Sequence, residues 1–203
     1  MPLYSQWSGN DGTGVRIWKV TEDESFFAKA TGLVTNRKHP IRRLEHLAGR
    51  FLLQQSLPGF DFGEIGISDL GKPFLPGNGR NFSISHSFPY IGVATDNEHE
   101  IGMDVQTLQE KINRLKHKFL SEEEQAIFDK TELVTLAWTA KEAAFKKYGL
   151  GGVDFIQHMP LRTLAMNANT ATMNMDFLRE DAPQQIKLHG QLEDDFVWSV
   201  TVR

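Results

Sequence analysis

The order of the predicted elements repeats once along the 203 residues, and this repeat constrains the fold more than any other feature of the sequence. Each half is predicted to run as a strand, a short helix, a long helix and a three-stranded meander. Helices set apart from antiparallel meanders are typical of the α+β class. We therefore expect two pseudo-symmetric lobes, residues 1–100 and 101–203, each with a long helix packed on a small antiparallel sheet. The site is expected in the cleft between them.

Hydrophobic periodicity gives the individual elements. Apolar residues at helical spacing predict helices, and alternating apolar residues predict strands. In the first half this predicts helices at Glu22–Ala30 and Ile41–Gln55 and strands at Gly14–Val20, Glu64–Ile67, Asn81–Ser87 and Tyr90–Thr95. In the second half it predicts helices at Ser121–Phe128 and Glu132–Tyr148 and strands at Ile101–Gln106, Thr170–Leu178, Gln184–His189 and Phe196–Val202.

Composition excludes several classes of protein. The chain has no cysteine, which excludes disulfides, thiol nucleophiles and cysteine-bound metals. A net charge of −4 argues against nucleic-acid binding. The first residues do not resemble a signal peptide, and no apolar run approaches the ~20 residues of a membrane span, so we expect a cytoplasmic protein without membrane contact. Basic residues still cluster between Arg37 and Arg50 and at Lys116–Lys118, where solvated helix faces are the simpler interpretation.

An acidic residue stands out in the strand Ile101–Gln106. Alternation puts Gly102, Asp104 and Gln106 on one face, so the glycine leaves room beside the carboxylate. This arrangement suits a bound cation and phosphate, although an aspartate of this kind, taken alone, is more often a hydrogen-bonded structural residue.

Two further segments carry groups that can bind phosphate. Glu142 and Lys146 lie one turn apart on the predicted long helix, among small alanines that would let the charges enter a crevice; an exposed ion pair is the alternative. In Asn81–Ser87, three serines and His86 could cradle a phosphate, or simply satisfy turn hydrogen bonds. A serine hydrolase is disfavoured because the chain has no G-x-S-x-G elbow.

These segments, taken together, resemble the motifs of the surfactin-type 4′-phosphopantetheinyl transferases in order and spacing. The residues that carry the resemblance are Gly71-Lys72-Pro73, Phe82–Ser87, Ile101–Gln106, Phe119–Glu124 and Trp138–Lys146. The resemblance implies two α+β lobes with a coenzyme A site between them. It also implies a magnesium-dependent transfer of 4′-phosphopantetheine from coenzyme A to a serine of an apo acyl or peptidyl carrier protein, releasing 3′,5′-ADP.

The resemblance also implies roles for individual residues. Asp104 and Glu142 are similar to the Mg²⁺ ligands, and Lys146 to the cation at the pyrophosphate. Glu124 matches an acidic residue near the metal, so either Glu124 or Glu142 is the predicted catalytic base. Gln106 replaces a third acid found in many members, and would touch the metal weakly or through water. The implied binders of coenzyme A are Lys72, Ser85, His86 at the 3′-phosphate, Arg50 and, more weakly, Lys141; Arg42 and Arg43 are further candidates.

Two alternative functions stay open at this point. A metal-dependent hydrolase of nucleotide pyrophosphates would use the same acidic groups without a carrier protein. A degenerate module that binds coenzyme A or a carrier would need none of them, and the presence of Asp104, Glu142 and Lys146 argues against it. We expect a monomer, because one chain supplies both predicted lobes.

Overall fold

The computed structural model describes residues 3–69, 71–77 and 80–203. The chain divides into two compact units, Met1–Glu100 and Ile101–Arg203. Both contain antiparallel sheets and separate helices, which confirms the predicted α+β class. Among the helices of the described residues, none has the length and apolar character needed to cross a membrane.

The first unit is a four-stranded antiparallel sheet with a long helix packed on it. The strands are β1 (Leu3–Ser8), β2 (Gly14–Lys19), β5 (Asn81–Ser87) and β6 (Tyr90–Asp96), in the order β1-β2-β6-β5. The helices are α1 (Glu24–Thr31) and α2 (Pro40–Ser56), and a two-stranded ribbon pairs β3 (Gly66–Ile67) with β4 (Pro73–Phe74). The α2 face with Leu47, Phe51 and Leu52 is buried in the core of this unit.

The second unit is a five-stranded antiparallel sheet with one long helix. The strands are β7 (Met103–Thr107), β8 (Leu161–Asn167), β9 (Thr170–Phe177), β10 (Gln184–Leu192) and β11 (Phe196–Val202), in the order β7-β11-β10-β9-β8. The helices are α3 (Ile112–Leu115), α4 (Glu122–Ile127) and α5 (Thr131–Tyr148). Gly149 ends α5 in a left-handed conformation with φ 73°.

Helix α5 lies unusually close to the backbone just before β7. A Cβ atom added to Gly102 would come within 1.9 Å of the Ala143 carbonyl oxygen and 2.5 Å of the Lys147 nitrogen. No side chain fits there, so glycine is required for this contact. The close approach brings the middle of α5 beside Asp104, two residues along the chain.

The structure corrects the predicted strands in three places. Strands β1 and β8 were not predicted, and both lie at sheet edges with mostly exposed residues, so their hydrophobic alternation is weak. The segment predicted as the first strand of a meander, Glu64–Ile67, pairs with β4 instead of β5. The first sheet is completed by β1 and β2, so the three-stranded meander predicted for this half is wrong.

Candidate active site

The centre of the candidate site is an ion pair between β7 and α5. Lys146 Nζ donates to Asp104 Oδ1 at 2.7 Å. Asp104 is buried, and the Lys146 side chain retains 30% of its exposure. Glu142 lies one helical turn before Lys146, so the two side chains share a face of α5. We call Asp104, Glu142 and Lys146 the Asp104 cluster.

The Glu142 carboxyl is strongly perturbed by its surroundings. Burial, and after it the charge of Asp104, raise the pKa of Glu142, while Lys146 opposes them; together these effects bring the pKa to about 7. Two carboxylates that repel each other in a half-buried place favour a cation between or beside them. Perturbed acids of this kind are concentrated at functional sites.

The donors of the Asp104 cluster fit a magnesium ion. Carboxylate oxygens are the ligands that Mg²⁺ prefers, and it is usually held by one or two of them together with substrate phosphates. Gln106 lies two residues beyond Asp104 on β7, where its side-chain nitrogen donates to the Thr107 carbonyl oxygen at 3.3 Å. Across residues 3–69, 71–77 and 80–203, no group of three or more His, Cys, Asp or Glu side chains could hold a metal ion. The Asp104 cluster itself contains two carboxylates, those of Asp104 and Glu142.

A second site, in the first unit, is a basic pocket of about 320 Å³ between α2, β5 and the β3–β4 ribbon. We call it the arginine pocket. Its polar lining is Arg37, Arg42, Glu45, His46, Arg50 and His86. Three guanidinium groups against one carboxylate make it a site for an anion, and planar guanidinium groups suit phosphate well.

Two basic groups in the arginine pocket lie in surroundings that disfavour their charged forms. Burial and the charge of Arg37 lower the pKa of the Arg50 guanidinium, which makes no hydrogen bond or ion pair with any other described residue. Burial, followed by the charges of Arg50, Arg37 and His86, lowers the pKa of His46. An anion bound here would relieve both effects.

His86 is held at the rim of the arginine pocket by a buried acid. Its Nδ1 lies 3.4 Å from Glu45 Oε2 and 3.3 Å from Arg42 Nη1. Arg42 Nη1 also donates to Glu45 Oε2 at 3.0 Å. Glu45 therefore orients both side chains, a role that the sequence did not indicate.

The remaining predicted binders in the first unit lie in different surroundings. Lys72 lies between Gly71 and Pro73, which line the arginine pocket, and its Nζ donates to Glu100 at 2.6 Å. Ser85 is buried on the face of β5 opposite Ile84 and His86 and is not among the residues that line this pocket, so its predicted contact with coenzyme A stays a prediction. Arg43 donates from Nε to both oxygens of Glu24 and joins α2 to α1.

Glu124 and Lys141, both predicted at the site, instead bind each other in the interior of the second unit. Lys141 is fully buried and its Nζ lies 2.8 Å from Glu124 Oε1. The Glu124 carboxylate also accepts from the backbone nitrogens of Ser121 and Leu161, at 2.8 Å each. A buried carboxylate with both oxygens engaged is poorly suited to take a proton from a substrate, and a lysine without exposed surface cannot reach a phosphate. These placements differ from the predicted base and the predicted phosphate contact.

A mainly apolar cavity in the second unit was not predicted. It has a volume of about 590 Å³ and is lined by Phe119, Trp138 and Phe155, with Gln106 and Lys118 among the polar residues at its walls. The ring centroids of Phe119 and Trp138 are 4.9 Å apart. We call it the aromatic cavity. Its aromatic residues are scattered along the sequence, so no local pattern could reveal it.

A comparison with models of protein families gives a match that covers the second unit. A family model described as the 4′-phosphopantetheinyl transferase superfamily matches residues 100–201, just over half of the chain. No curated protein matches the sequence.

Proposed function

We propose that this chain, which belongs to the 4′-phosphopantetheinyl transferase superfamily, transfers 4′-phosphopantetheine from coenzyme A to a serine of an apo carrier protein and releases 3′,5′-ADP. The observation that carries the proposal is the Asp104 cluster, which lies within the matched residues. There a buried carboxylate, a second acid with a raised pKa and a lysine come together on two adjacent elements.

The reaction is proposed to depend on Mg²⁺. Asp104 and Glu142 would hold the ion, and Gln106 would bind weakly or through water. When bound, the ion neutralises charge on the pyrophosphate oxygens. Lys146, already drawn to this place by Asp104, would donate to the leaving phosphate and stabilise the charge that develops there.

Of the two predicted bases, Glu142 fits the role better than Glu124. Glu142 is half-buried beside Asp104 and Lys146, and its carboxylate has two oxygens, so one would hold the ion while the other takes a proton. Glu142 therefore takes the proton of the attacking serine hydroxyl in our proposal. Glu124 is buried and its oxygens are occupied within the protein.

The arginine pocket supplies the anion site that coenzyme A also requires. Coenzyme A carries a 3′-phosphate in addition to its pyrophosphate, and a pocket with Arg37, Arg42 and Arg50 suits such a group. His86 would contact the 3′-phosphate from the rim and Lys72 would lie at the edge. We further propose a cytoplasmic monomer that meets its carrier protein in solution.

The decisive experiment incubates the protein with coenzyme A, Mg²⁺ and a panel of apo carrier proteins, and measures the intact mass of each carrier. We expect at least one carrier to gain a single phosphopantetheine. Asp104→Asn should abolish the gain, whereas Asp176→Asn, which alters a surface ion pair with Arg162, should not. If coenzyme A is hydrolysed without a carrier and no carrier gains mass, the protein is a pyrophosphate hydrolase instead.

A further inference from the structure

A buried lysine in the middle of α5 has no part in the proposed chemistry. Lys141 is fully buried, and its Nζ donates to the carbonyl oxygens of Phe119 and Phe155 at 2.7 and 3.0 Å as well as to Glu124. An ammonium group has three donors, and these three partners use all of them. The side chain therefore ties α5 to two separate loops and to α4.

The partner of Lys141 is itself firmly held. Glu124 closes a capping box with Ser121 at the start of α4, and its second oxygen accepts from the Leu161 nitrogen at the start of β8. Neither residue of the pair can move without breaking hydrogen bonds to other elements. The pair is thus a fixed point in the second unit.

Stability alone does not explain a charge in this position. Burial lowers the pKa of Lys141, so the charged form is costly to keep in the interior. Buried ion pairs are often no more stabilising than apolar side chains of the same volume. What such a pair does supply is a single geometry, because its donors and acceptors fit only one arrangement.

That geometry bears directly on Glu142. Successive residues of a helix are about 100° apart around its axis, so Lys141 and Ala143 flank Glu142 on opposite sides. On one side α5 is anchored by Lys141, and on the other the Ala143 carbonyl oxygen lies against the bare backbone of Gly102. The helix cannot rotate about its axis without losing one of these contacts.

We propose that Lys141 is a positioning residue, which fixes the rotation of α5 so that Glu142 and Lys146 lie beside Asp104. The inference rests on the proposed function, in which these three residues hold the metal ion and the pyrophosphate. It assigns the buried pair a part in activity beyond keeping the protein folded.

The test replaces the pair by uncharged side chains of similar size, in the double variant Lys141→Met with Glu124→Gln. Binding of Mn²⁺, used in place of Mg²⁺, is followed by electron paramagnetic resonance in the presence of coenzyme A, with the coenzyme alone as the baseline. Transfer to the carrier is measured on the same samples, normalised to folded protein by circular dichroism. Loss of an outer residue that orients a metal ligand typically weakens metal affinity or activity by roughly 10- to 100-fold.

We expect falls of that size in Mn²⁺ affinity and in kcat, while the KM for the carrier changes less than about twofold. Glu122→Gln is the matched control, because Glu122 is exposed in the first turn of the same helix; it should behave as the wild type. Unchanged Mn²⁺ affinity and kcat per folded molecule in the double variant would overturn the proposal and leave the pair a purely structural one.

A single variant decides the matter if the double variant does not fold. Glu124→Gln keeps the side-chain shape but turns an amide NH₂ toward a donor, either Lys141 Nζ or a backbone N–H. This variant should therefore bind Mn²⁺ several-fold more weakly than the wild type. A wild-type Mn²⁺ affinity in Glu124→Gln would overturn the proposal. The proposed transferase function is contradicted by a different result, namely that the wild type modifies no carrier. In that case the positioning role of Lys141 is tested by Mn²⁺ binding alone.

Discussion

Glu142 makes the free energy of unfolding of the metal-free protein depend on pH, and the sign of this dependence is opposite to that of most carboxylates. Its pKa is raised from 4.5 to about 7 in the folded state, so the folded chain holds this proton more tightly than the unfolded chain. Between these two pH values the free energy of unfolding therefore falls as pH rises. The group contributes at most about 3 kcal/mol to this loss.

We predict that Glu142→Gln removes this part of the pH dependence. In the presence of a chelator, the wild type should lose stability between about pH 5 and about pH 8 relative to the variant, as measured by urea unfolding. The variant should be the more stable of the two at the higher pH, since it carries no buried charge. Parallel pH profiles for the two proteins would contradict the assignment.

Arg50 and Arg43 offer a matched pair for testing the arginine pocket, because both lie on α2. Arg50 lines the pocket, whereas Arg43 is bound to Glu24. Charge-assisted hydrogen bonds contribute about 1.5–3 kcal/mol, so Arg50→Met should raise the Kd for coenzyme A roughly 10- to 100-fold. Arg43→Met should leave it nearly unchanged.

Calorimetry with dephospho-coenzyme A identifies the group that Arg50 binds. We expect Arg50→Met to cost much less with this ligand, which lacks the 3′-phosphate. An equal loss for both ligands would remove Arg50 from the 3′-phosphate.

At the scale of residues, the sequence predicted which charged side chains lie close together better than it predicted which of them are buried. The i, i+4 spacing of Glu142 and Lys146 and the strand alternation around Asp104 follow from local geometry, and the structure brings these three residues together. Lys141 and Glu124 have the same charged side chains, but their burial depends on Phe119, Phe155 and Leu161, which are distant along the chain. No local pattern distinguishes a charge at the surface from one satisfied inside.

The contact between α5 and Gly102 is the element-scale feature that assembles the site. Gly102→Ala would force a Cβ against the Ala143 carbonyl oxygen, so the helix or the strand must move. We expect a loss of about 3 kcal/mol or more in urea unfolding, together with loss of transfer, since Glu142 would shift away from Asp104.

Gly49→Ala is the comparison for this prediction. Gly49 lies within α2, and an added Cβ would come 3.2 Å from Ile84 Cγ2, a side-chain atom that can move slightly. The gain in helix propensity of about 1 kcal/mol offsets the tight contact, so the stability should change by less than about 1 kcal/mol. Similar stabilities for the two variants would show that the close contact is not essential.

Elements with strong periodicity were predicted closely, whereas the edge strands β1 and β8 were not predicted. The prediction of Ile41–Gln55 lies within α2, and Glu132–Tyr148 differs from α5 by one residue, because each buries a continuous apolar stripe. Strand β8 buries little beyond Leu161, and so it lacks the alternation that identifies strands β9 to β11. The pairing of strands is a property of the assembled sheet. A local sequence pattern therefore could not predict that β3 pairs with β4.

At the scale of the whole molecule, the proposed metal site would offer a divalent cation fewer negative charges than a site with three acids. Gln106 stands on β7 where a third carboxylate could lie, and an amide brings no charge. Magnesium gives up its waters reluctantly, so two carboxylates, one with a pKa raised to about 7, bind it poorly on their own. The pyrophosphate oxygens of coenzyme A would complete the set.

We therefore predict that Mg²⁺ and coenzyme A bind with positive coupling. Because such coupling is reciprocal, each ligand should tighten the other by the same factor, typically 5- to 150-fold. Gln106→Glu should bind Mg²⁺ more tightly in the absence of coenzyme A and show a smaller coupling, since the added carboxylate replaces part of what the coenzyme supplies.

Gln109→Glu is the control, because it adds the same charge at another wall residue of the aromatic cavity, beyond the end of β7. It should leave the Mg²⁺ affinity and the coupling unchanged. Titration calorimetry with each ligand, alone and in the presence of the other, measures all four affinities. Tight Mg²⁺ binding to the coenzyme-free wild type, or an unchanged metal affinity in Gln106→Glu, would contradict a site that needs its substrate to complete it.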